Sequence, residues 1–521
     1  MSTTPTQPFD PLDLRNYSLE KFKDIRPGRI MATLKVYGFP IAVALFFFFH
    51  LSWCGRIELF EAQKVPQLCY SALGIFVASL ILWITETIPN YLTSFIVIVV
   101  AIATGSMKMR DAFAMLGEPV MVLNIASFIL ASALVATGLA KRVSLWLVLR
   151  MKGNLSLLLW SFIILNLLFG AFISATSAKT ALLLPLFMVI AAIYGATGGE
   201  KRNNVGRNMV LQNLLANNVS ASAFMTGSAA NLVAVSLMEK AGAPVTYDRW
   251  LLALLPLAVI QCAIAWWTGT RVIFPISKEE ATPKLEGGFD RLEEEYRALG
   301  PIAVDEIKAA VVFFSVLGLW ATGDLTGIKA EVVALGGACV VFMPSVMGLP
   351  RLGVIKWNDA DIPWHMLMFS WGAYVLGGVV EKSDIVGLWI HGMLDTWKID
   401  GNAPGMKLLV FAVLSGLFGI TTLISESKTA RTIIMFPIMI AVARKFGWDI
   451  VGFCLPMAFM INQVYVLYFN SKPANISYLT DHYSNGESFK FGITQLVLVW
   501  GLLILWTQYV MPLMGFNSRL W

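Results

Sequence analysis

From about residue 36 to residue 514 one apolar block follows another, many of them near the ~20 residues that cross a hydrocarbon core, with no long hydrophilic domain between them. Only 14% of residues are charged and 57% are apolar, where a soluble domain carries about 25% charge. Inside lipid every backbone N–H and C=O must be satisfied within the chain, so blocks of this length are helices. The expectation is an all-α polytopic membrane protein with about 11 transmembrane helices.

Two stretches interrupt this pattern. Phe172 to Pro185 reads Phe-Ile-Ser-Ala-Thr-Ser-Ala-Lys-Thr-Ala-Leu-Leu-Leu-Pro, and Ser425 to Pro437 reads Ser-Glu-Ser-Lys-Thr-Ala-Arg-Thr-Ile-Ile-Met-Phe-Pro. Hydroxyls and cations stand where hydrocarbon should be, which is costly unless they line a cavity or find a partner. Lys141, Arg142, Arg150 and Lys152 precede the first stretch, and Lys201, Arg202 and Arg207 follow it. The positive-inside rule then puts both ends of 155–196 in the cytoplasm, making a re-entrant helical hairpin with its tip near Ser174 to Ser177. A second hairpin is expected over 405–443, where the flanking charges are too balanced to fix a side.

The halves of the chain repeat. Trp83-Ile-Thr-Glu-Thr87 is answered by Trp320-Ala-Thr-Gly-Asp324 (offset 237), Leu134 to Leu139 by Val380 to Ile385 (offset 246), Pro185 by Pro437 (offset 252) and Asn231 by Asn475 (offset 244). A near-constant offset marks an internal repeat. With 11 crossings the two repeats are inverted, and paired polar breaks in corresponding halves are the sequence mark of a transporter's binding site.

The chain divides into an N-terminal arm (1–35), a first span with an external loop (36–68), a first repeat (69–276), a charged linker (277–306) and a second repeat (307–521). The arm has six Lys or Arg against four acids and no apolar signal core. It reads as cytoplasmic, with an interfacial helix near Tyr17 to Ile25, not as a cleaved signal peptide. Mixed charge in the linker reads as a solvated cytoplasmic segment, part helical. The net charge of +6 is spread over loops and reflects topology, with no nucleic-acid partner.

Catalytic signatures are missing. His50, His365, His391 and His482 are scattered, and no HExxH, P-loop or paired CxxC occurs. Cys54 and Cys69 flank one short loop; they pair if it faces an oxidising compartment and are otherwise small buried residues. Glu86 and Asp324 are expected to cap or brace broken helices rather than carry protons.

The first tip offers Ser174, Thr176 and Ser177, and the second Ser427, Lys428 and Thr429. Two further breaks, Thr226-Gly-Ser-Ala-Ala-Asn231 and Asn470-Ser-Lys-Pro-Ala-Asn475, add Gly227, Ser228, Asn231, Ser471, Lys472 and Asn475. Helix N-termini at these breaks would aim N–H groups and positive dipole ends at an anion. Lys179, Lys428, Arg431 and Lys472 outnumber Glu426 by three charges, so a di- or trianion is the natural counterweight. Lys179 and Arg431, beyond the tips, equally well snorkel or pair elsewhere. Glu426 equally well forms a permanent pair with Lys428 or Arg431.

With these residues the chain resembles the divalent anion sodium symporter family, from about Leu73 to Trp506. The shared motifs are Trp-x-Thr-Glu-x-Ile-Pro at Trp83 to Pro89, the run Gly327 to Ala338, and Trp357-Asn-Asp-Ala with Ile362-Pro-Trp364. The resemblance implies a secondary active transporter of dicarboxylates, citrate or a sulfate-like or sulfonated dianion. It would work by alternating access as a homodimer in a bacterial inner membrane, with spans 119–139 and 363–380 in its scaffold.

The family's Ser-Asn-Thr triplets, which bind substrate carboxylates and help coordinate sodium, fall on Ala175-Thr176-Ser177 and Ser427-Lys428-Thr429. Both asparagines are replaced. The family's Thr-Pro-Pro-Asn loops fall on Ser228 to Asn231 and Lys472 to Asn475. The resemblance thus implies substrate contacts from Thr176, Ser177, Ser427, Lys428, Thr429, Asn231, Lys472 and Asn475, and sodium ligands among Ser174, Thr176, Gly227, Ser228 and Ser471. An asparagine offers sodium a carbonyl oxygen, whereas an ammonium offers only donors and a like charge. Sodium-independent anion exchange and proton coupling therefore stand beside sodium symport. From a different class, a membrane-embedded enzyme would use Lys428 and Glu426 and need neither the repeat nor two tips.

Overall fold

The structure, a computed structural model, describes residues 10–18, 29–51, 67–285, 287–345, 351–396, 400–401, 403–423 and 425–521. These are folded as helices and loops, with no strand beyond a lone bridge between Gly198 and Lys201. Among the described residues six helices are long and apolar enough to cross a membrane, and five shorter ones are also apolar.

Element order repeats as the sequence spacing predicts. Gln67–Thr85 and Val304–Ala321 each end at a buried tryptophan whose indole N–H holds the next helix by its first carbonyl. Trp83 donates to Asn90 O (3.4 Å), ahead of Asn90–Ala103, and Trp320 to Ala330 O (2.9 Å), ahead of Ala330–Phe342. Buried indoles seek such a partner, and here the bond pins a chain reversal. Pro119–Ala136 and Trp364–Ser383 follow, each ended by a left-handed residue nearby, Gly138 (φ 77°) and Asp384 (φ 49°). Glycine and, next, aspartate or asparagine tolerate that conformation. The last long helices, Tyr247–Thr268 and Asn485–Leu505, both run on into short π segments, Gly269–Ile273 and Trp506–Val510.

The halves interleave. Asn90–Ala103 packs on Trp364–Ser383 and Pro119–Ala136 on Ala330–Phe342, one pairing seen from either repeat. Consequently the spans assigned to a dimer scaffold are largely buried within the single chain, as at Leu123, Phe128, Tyr374 and Val375. Outward apolar residues include Val304, Val311, Phe314, Val332 and Leu335 on other helices, and on these two spans Val135 and Trp364 near their ends. A helix apolar all round does not disclose its inner face, so the sequence pattern does not tell which side of these spans is covered.

The linker forms a helix, Gly288–Ala298, fastened by pairs Lys141–Glu295 and Lys152–Glu293 and by Arg291 to Asp10 of the arm. Backbone N–H groups of Lys284 and Leu285 both reach the carbonyl of Ile193. The arm shows a short 3-10 turn at Leu14–Tyr17. Most of the expected interfacial helix, and Cys54, lie outside the described residues.

Candidate functional site

Each hairpin is two helices joined by a short non-helical elbow. Leu155–Gly170 turns through Ala171 to Ala175 into Thr176–Ile193, and Met406–Ile420 turns through a 3-10 step at Thr421–Leu423 into Lys428–Lys445. Both second arms have 18 residues with proline at the tenth, Pro185 and Pro437. Thr176, Ser177, Lys428 and Thr429 therefore stand in first helical turns, just past the break. Ser427 caps its helix by accepting from Ala430 N (3.2 Å), whereas Ala175 has no oxygen to do so and leaves the first-turn N–H groups of Thr176–Ile193 uncapped by a side chain.

The discontinuous helices complete the site. Asn204–Ala223 breaks at a 3-10 turn, Met225–Gly227, before Ala229–Lys240. A Cβ on Gly227 would lie 2.6 Å from Ala221 O, so only glycine permits this turn. Ile450–Ala458 and the 3-10 turn Phe459–Asn462 play the same part before Lys472–Leu479. Ser228 and Ser471 cap the resumed helices through the N–H groups of Ala230 and Ala474. Their offset is 243, one less than that of the two asparagines, so Asn475 sits about 100° further round its helix than Asn231.

Asn231 is fully buried, its Nδ2 donating to Ala221 O (2.7 Å) and Phe224 O (2.9 Å) while its Oδ1 accepts from Asn462 Nδ2 (2.9 Å). It braces its own break and ties the repeats together. Asn475 is half-buried with an Oδ1 that has no partner, and Ser471 Oγ also donates to Val464 O (3.2 Å). Lys472 is exposed. Ser174 is buried with its hydroxyl unpartnered, and among the described residues those of Thr176, Ser177 and Thr429 make no hydrogen bond.

Lys428 reaches across the repeats: its Nζ lies 3.1 Å from Asn218 Oδ1. Lys179 is fully buried, with Nζ 3.0 Å from Asn217 O and 2.8 Å from Ser220 Oγ. Gly170 lets the first elbow lie directly on Ser220, where a Cβ would be 2.8 Å from the serine Cβ. Arg431 is also buried and donates to Ile461 O (2.6 Å). Glu426 is exposed and, among the described residues, forms no ion pair with Lys428 or Arg431. Lys179, Lys428 and Arg431 have each found a neutral acceptor, so of the two alternatives for Glu426 the permanent pair with Lys428 or Arg431 is not the one seen. Glu86 accepts from Asn90 Nδ2 (3.2 Å) and Asp324 lies 3.8 Å from Arg249, both bracing chain reversals.

Asn217, Asn218, Ser220 and Asn462 were not singled out as site residues. The offset of 244 that joins Asn231 to Asn475 also joins Asn218 to Asn462, a signal available in the chain.

Comparison with known proteins agrees with this architecture. A family model described as the sodium:sulfate symporter transmembrane region matches residues 58–516. A membrane protein of Cupriavidus necator is 26% identical over 456 residues, covering 83% of this chain and 85% of that one. The citrate/succinate antiporter of Escherichia coli K12 is 22% identical over 474 residues (85% and 94%), and the sodium-dependent dicarboxylate transporter SdcS of Staphylococcus saprophyticus 21% over 460 (84% and 86%). The chain thus belongs to the sodium:sulfate symporter transmembrane-region family of multi-pass membrane transporters.

Proposed function

We propose that this protein is a secondary transporter that carries small di- or tricarboxylate anions, its site lying between the two elbows. The observation that supports it is Lys428, a cation held across the repeat boundary on the neutral amide of Asn218, whose neighbour Asn217 donates to Thr176 O at the start of the first elbow helix, with the hydroxyls of Thr176, Ser177 and Thr429 uncommitted among the described residues. Those groups are donors without a carboxylate of their own, which suits an anionic guest. Thr176, Ser177, Ser427, Lys428 and Thr429 would hold the anion from the two tips, with Lys472 and Asn475 at its edge. Two-fold interleaving suits alternating access by movement of one unit against another. Relatives named for citrate, succinate and dicarboxylate support this substrate class. A cytoplasmic N-terminus and a homodimer belong to the same proposal.

The test is uptake of labelled succinate, citrate, tartrate and sulfate into proteoliposomes of the purified protein, with and without sodium, a proton gradient or internal counter-substrate. Saturable, accumulative carboxylate uptake is expected. Flux of sulfate alone would change the substrate class, and chemical turnover without any gradient would replace the carrier by an enzyme.

A further inference from the structure

Two helices whose starts belong to the proposed anion site, one from each repeat, end at a single crossing. Thr176–Ile193 runs out into Ala196, and Lys472–Leu479 into Thr480. There the two loops are stitched together. Gly199 N and Arg202 Nε both donate to Asp481 O (2.9 and 2.8 Å), and a Cβ on Gly198 would lie 2.7 Å from Thr480 O. His482 fills the middle of this crossing, in the loop ahead of the last span, and is 0% exposed. Its Nδ1 lies 2.8 Å from Thr480 O in its own repeat and its Nε2 3.3 Å from Ala196 O in the other. Gly206 closes a further edge, since a Cβ there would stand 2.7 Å from His482 Cδ2.

The charged groups packed round the ring answer one another, Arg202 with Asp481 and Arg207 with Glu487, and among the described residues no carboxylate forms an ion pair with the ring. A neutral imidazole donates to one of the two carbonyls. An imidazolium would donate to both, but would set a full charge in a dry seam with no carboxylate against it. Burial holds the ring below the ordinary histidine range, against the pull of the two carbonyls and Asp481, and Arg202 adds to the fall. We propose that His482 is a pH-sensitive wedge between the repeats, which packs in the seam when neutral and leaves it for water when protonated. A base held below its solvated range is bound more tightly as the neutral form, so the seam is closed above that range and opens as pH falls through it. Thr176 and Ser177 begin one of the joined helices, and Lys472 and Asn475 the other. Freeing their far ends lets the starts move apart and weakens the grip on an anion. That last step rests on the anion-carrier reading, whereas the opening of the seam does not.

The test is amide hydrogen exchange of the purified protein in detergent, read on peptides covering 194–206 and 476–484 and corrected for the intrinsic rate at each pH. From about pH 7.5 to about pH 5.5 both segments should lose protection by about threefold or more, while Pro119–Ala136 stays unchanged as the reference. His482→Gln cannot take up the proton and should be equally protected at both pH values. His482→Asn takes its place where the first variant does not fold. Binding of labelled succinate should weaken with acid about threefold more in the unaltered protein than in the variant, which reports only the protonation of succinate itself. Protection that holds or rises with acid in the unaltered protein overturns the proposal whether or not either variant folds, because the ring then stays in the seam. A variant that loses protection as the unaltered protein does also overturns it. Absence of succinate binding at every pH overturns the carrier reading and leaves the wedge standing.

Discussion

Lys179 and Lys428 come from opposite repeats and end on consecutive residues of one helix, the first on Asn217 O (3.0 Å) and the second on Asn218 Oδ1 (3.1 Å). Asn204–Ala223 is therefore the post on which both elbows lean. Like charges brought this near repel one another in a low-dielectric interior. On the proposed reading, an anion held between the tips would relieve that repulsion.

Of Lys179, Lys428 and Arg431 near the starts of the elbow helices, only Lys428 is not fully buried. Charge-assisted hydrogen bonds contribute about 1.5–3 kcal/mol. Lys428→Asn should weaken binding of labelled succinate or citrate by about tenfold to a hundredfold, or make binding depend on sodium. Equilibrium binding to protein in detergent, with and without sodium, checks this. Unchanged affinity with an unchanged ion requirement removes Lys428 from the site.

Gly227 sits where the chain passes Ala221 O too closely for a side chain. Gly227→Ala should cost about 1–3 kcal/mol, the usual range for forcing atoms into a packed place. Gly117→Ala, with nothing within 4 Å of the new Cβ, is the control. Thermal unfolding in detergent should show a fall for the first and little change for the second.

The two reversal tryptophans differ in a measurable way. The indole bond of Trp320 is 2.9 Å and that of Trp83 is 3.4 Å, and Trp320 also stacks on Tyr247 with ring centres 4.6 Å apart. Trp320→Phe should destabilise by about 1 kcal/mol more than Trp83→Phe. Equal loss in both variants would mean that ring packing, not the indole N–H, holds the reversals.

Much of this arrangement is legible in the chain, because a repeat must place equivalent polar groups at equivalent positions. The offsets of Trp83 and Trp320, of Gly138 and Asp384, and of the two elbow prolines all survive in the structure. Lys428 stands out for a simple reason: a charge at an apolar helix start needs explanation. Other features were hidden. Asn462 lies inside an apolar run, Phe459-Met-Ile-Asn, that gives no sign of a 3-10 turn. The one-position difference between the serine caps and the asparagines follows from cap geometry, which residue identity does not fix. Burial of Pro119–Ala136 depends on Ala330–Phe342, a helix of the other repeat and far along the chain.

Arg142 and Glu306 join the Leu139–Arg150 helix to the first turn of Val304–Ala321, at the end of the linker, 2.8 Å apart with side chains 9% and 5% exposed. Arg142 also donates to the carbonyls of Leu299, Gly300 and Pro301, and Glu306 accepts from Ala303 N (2.7 Å). Arg142→Met leaves a buried carboxylate and three carbonyls without their donor, and should cost about 3–5 kcal/mol. Glu306→Leu removes the partner charge as well as a helix cap, so alone it should be comparably damaging. Joined in one chain, the two substitutions replace an ion pair by apolar contact, which is often neutral apart from lost hydrogen bonds. The double variant should therefore be more stable than the sum of the single losses implies, by about 1–3 kcal/mol of coupling in a thermal-unfolding cycle. Additive losses would mean that the carbonyl contacts of Arg142, rather than its charge on Glu306, hold the linker to the first repeat.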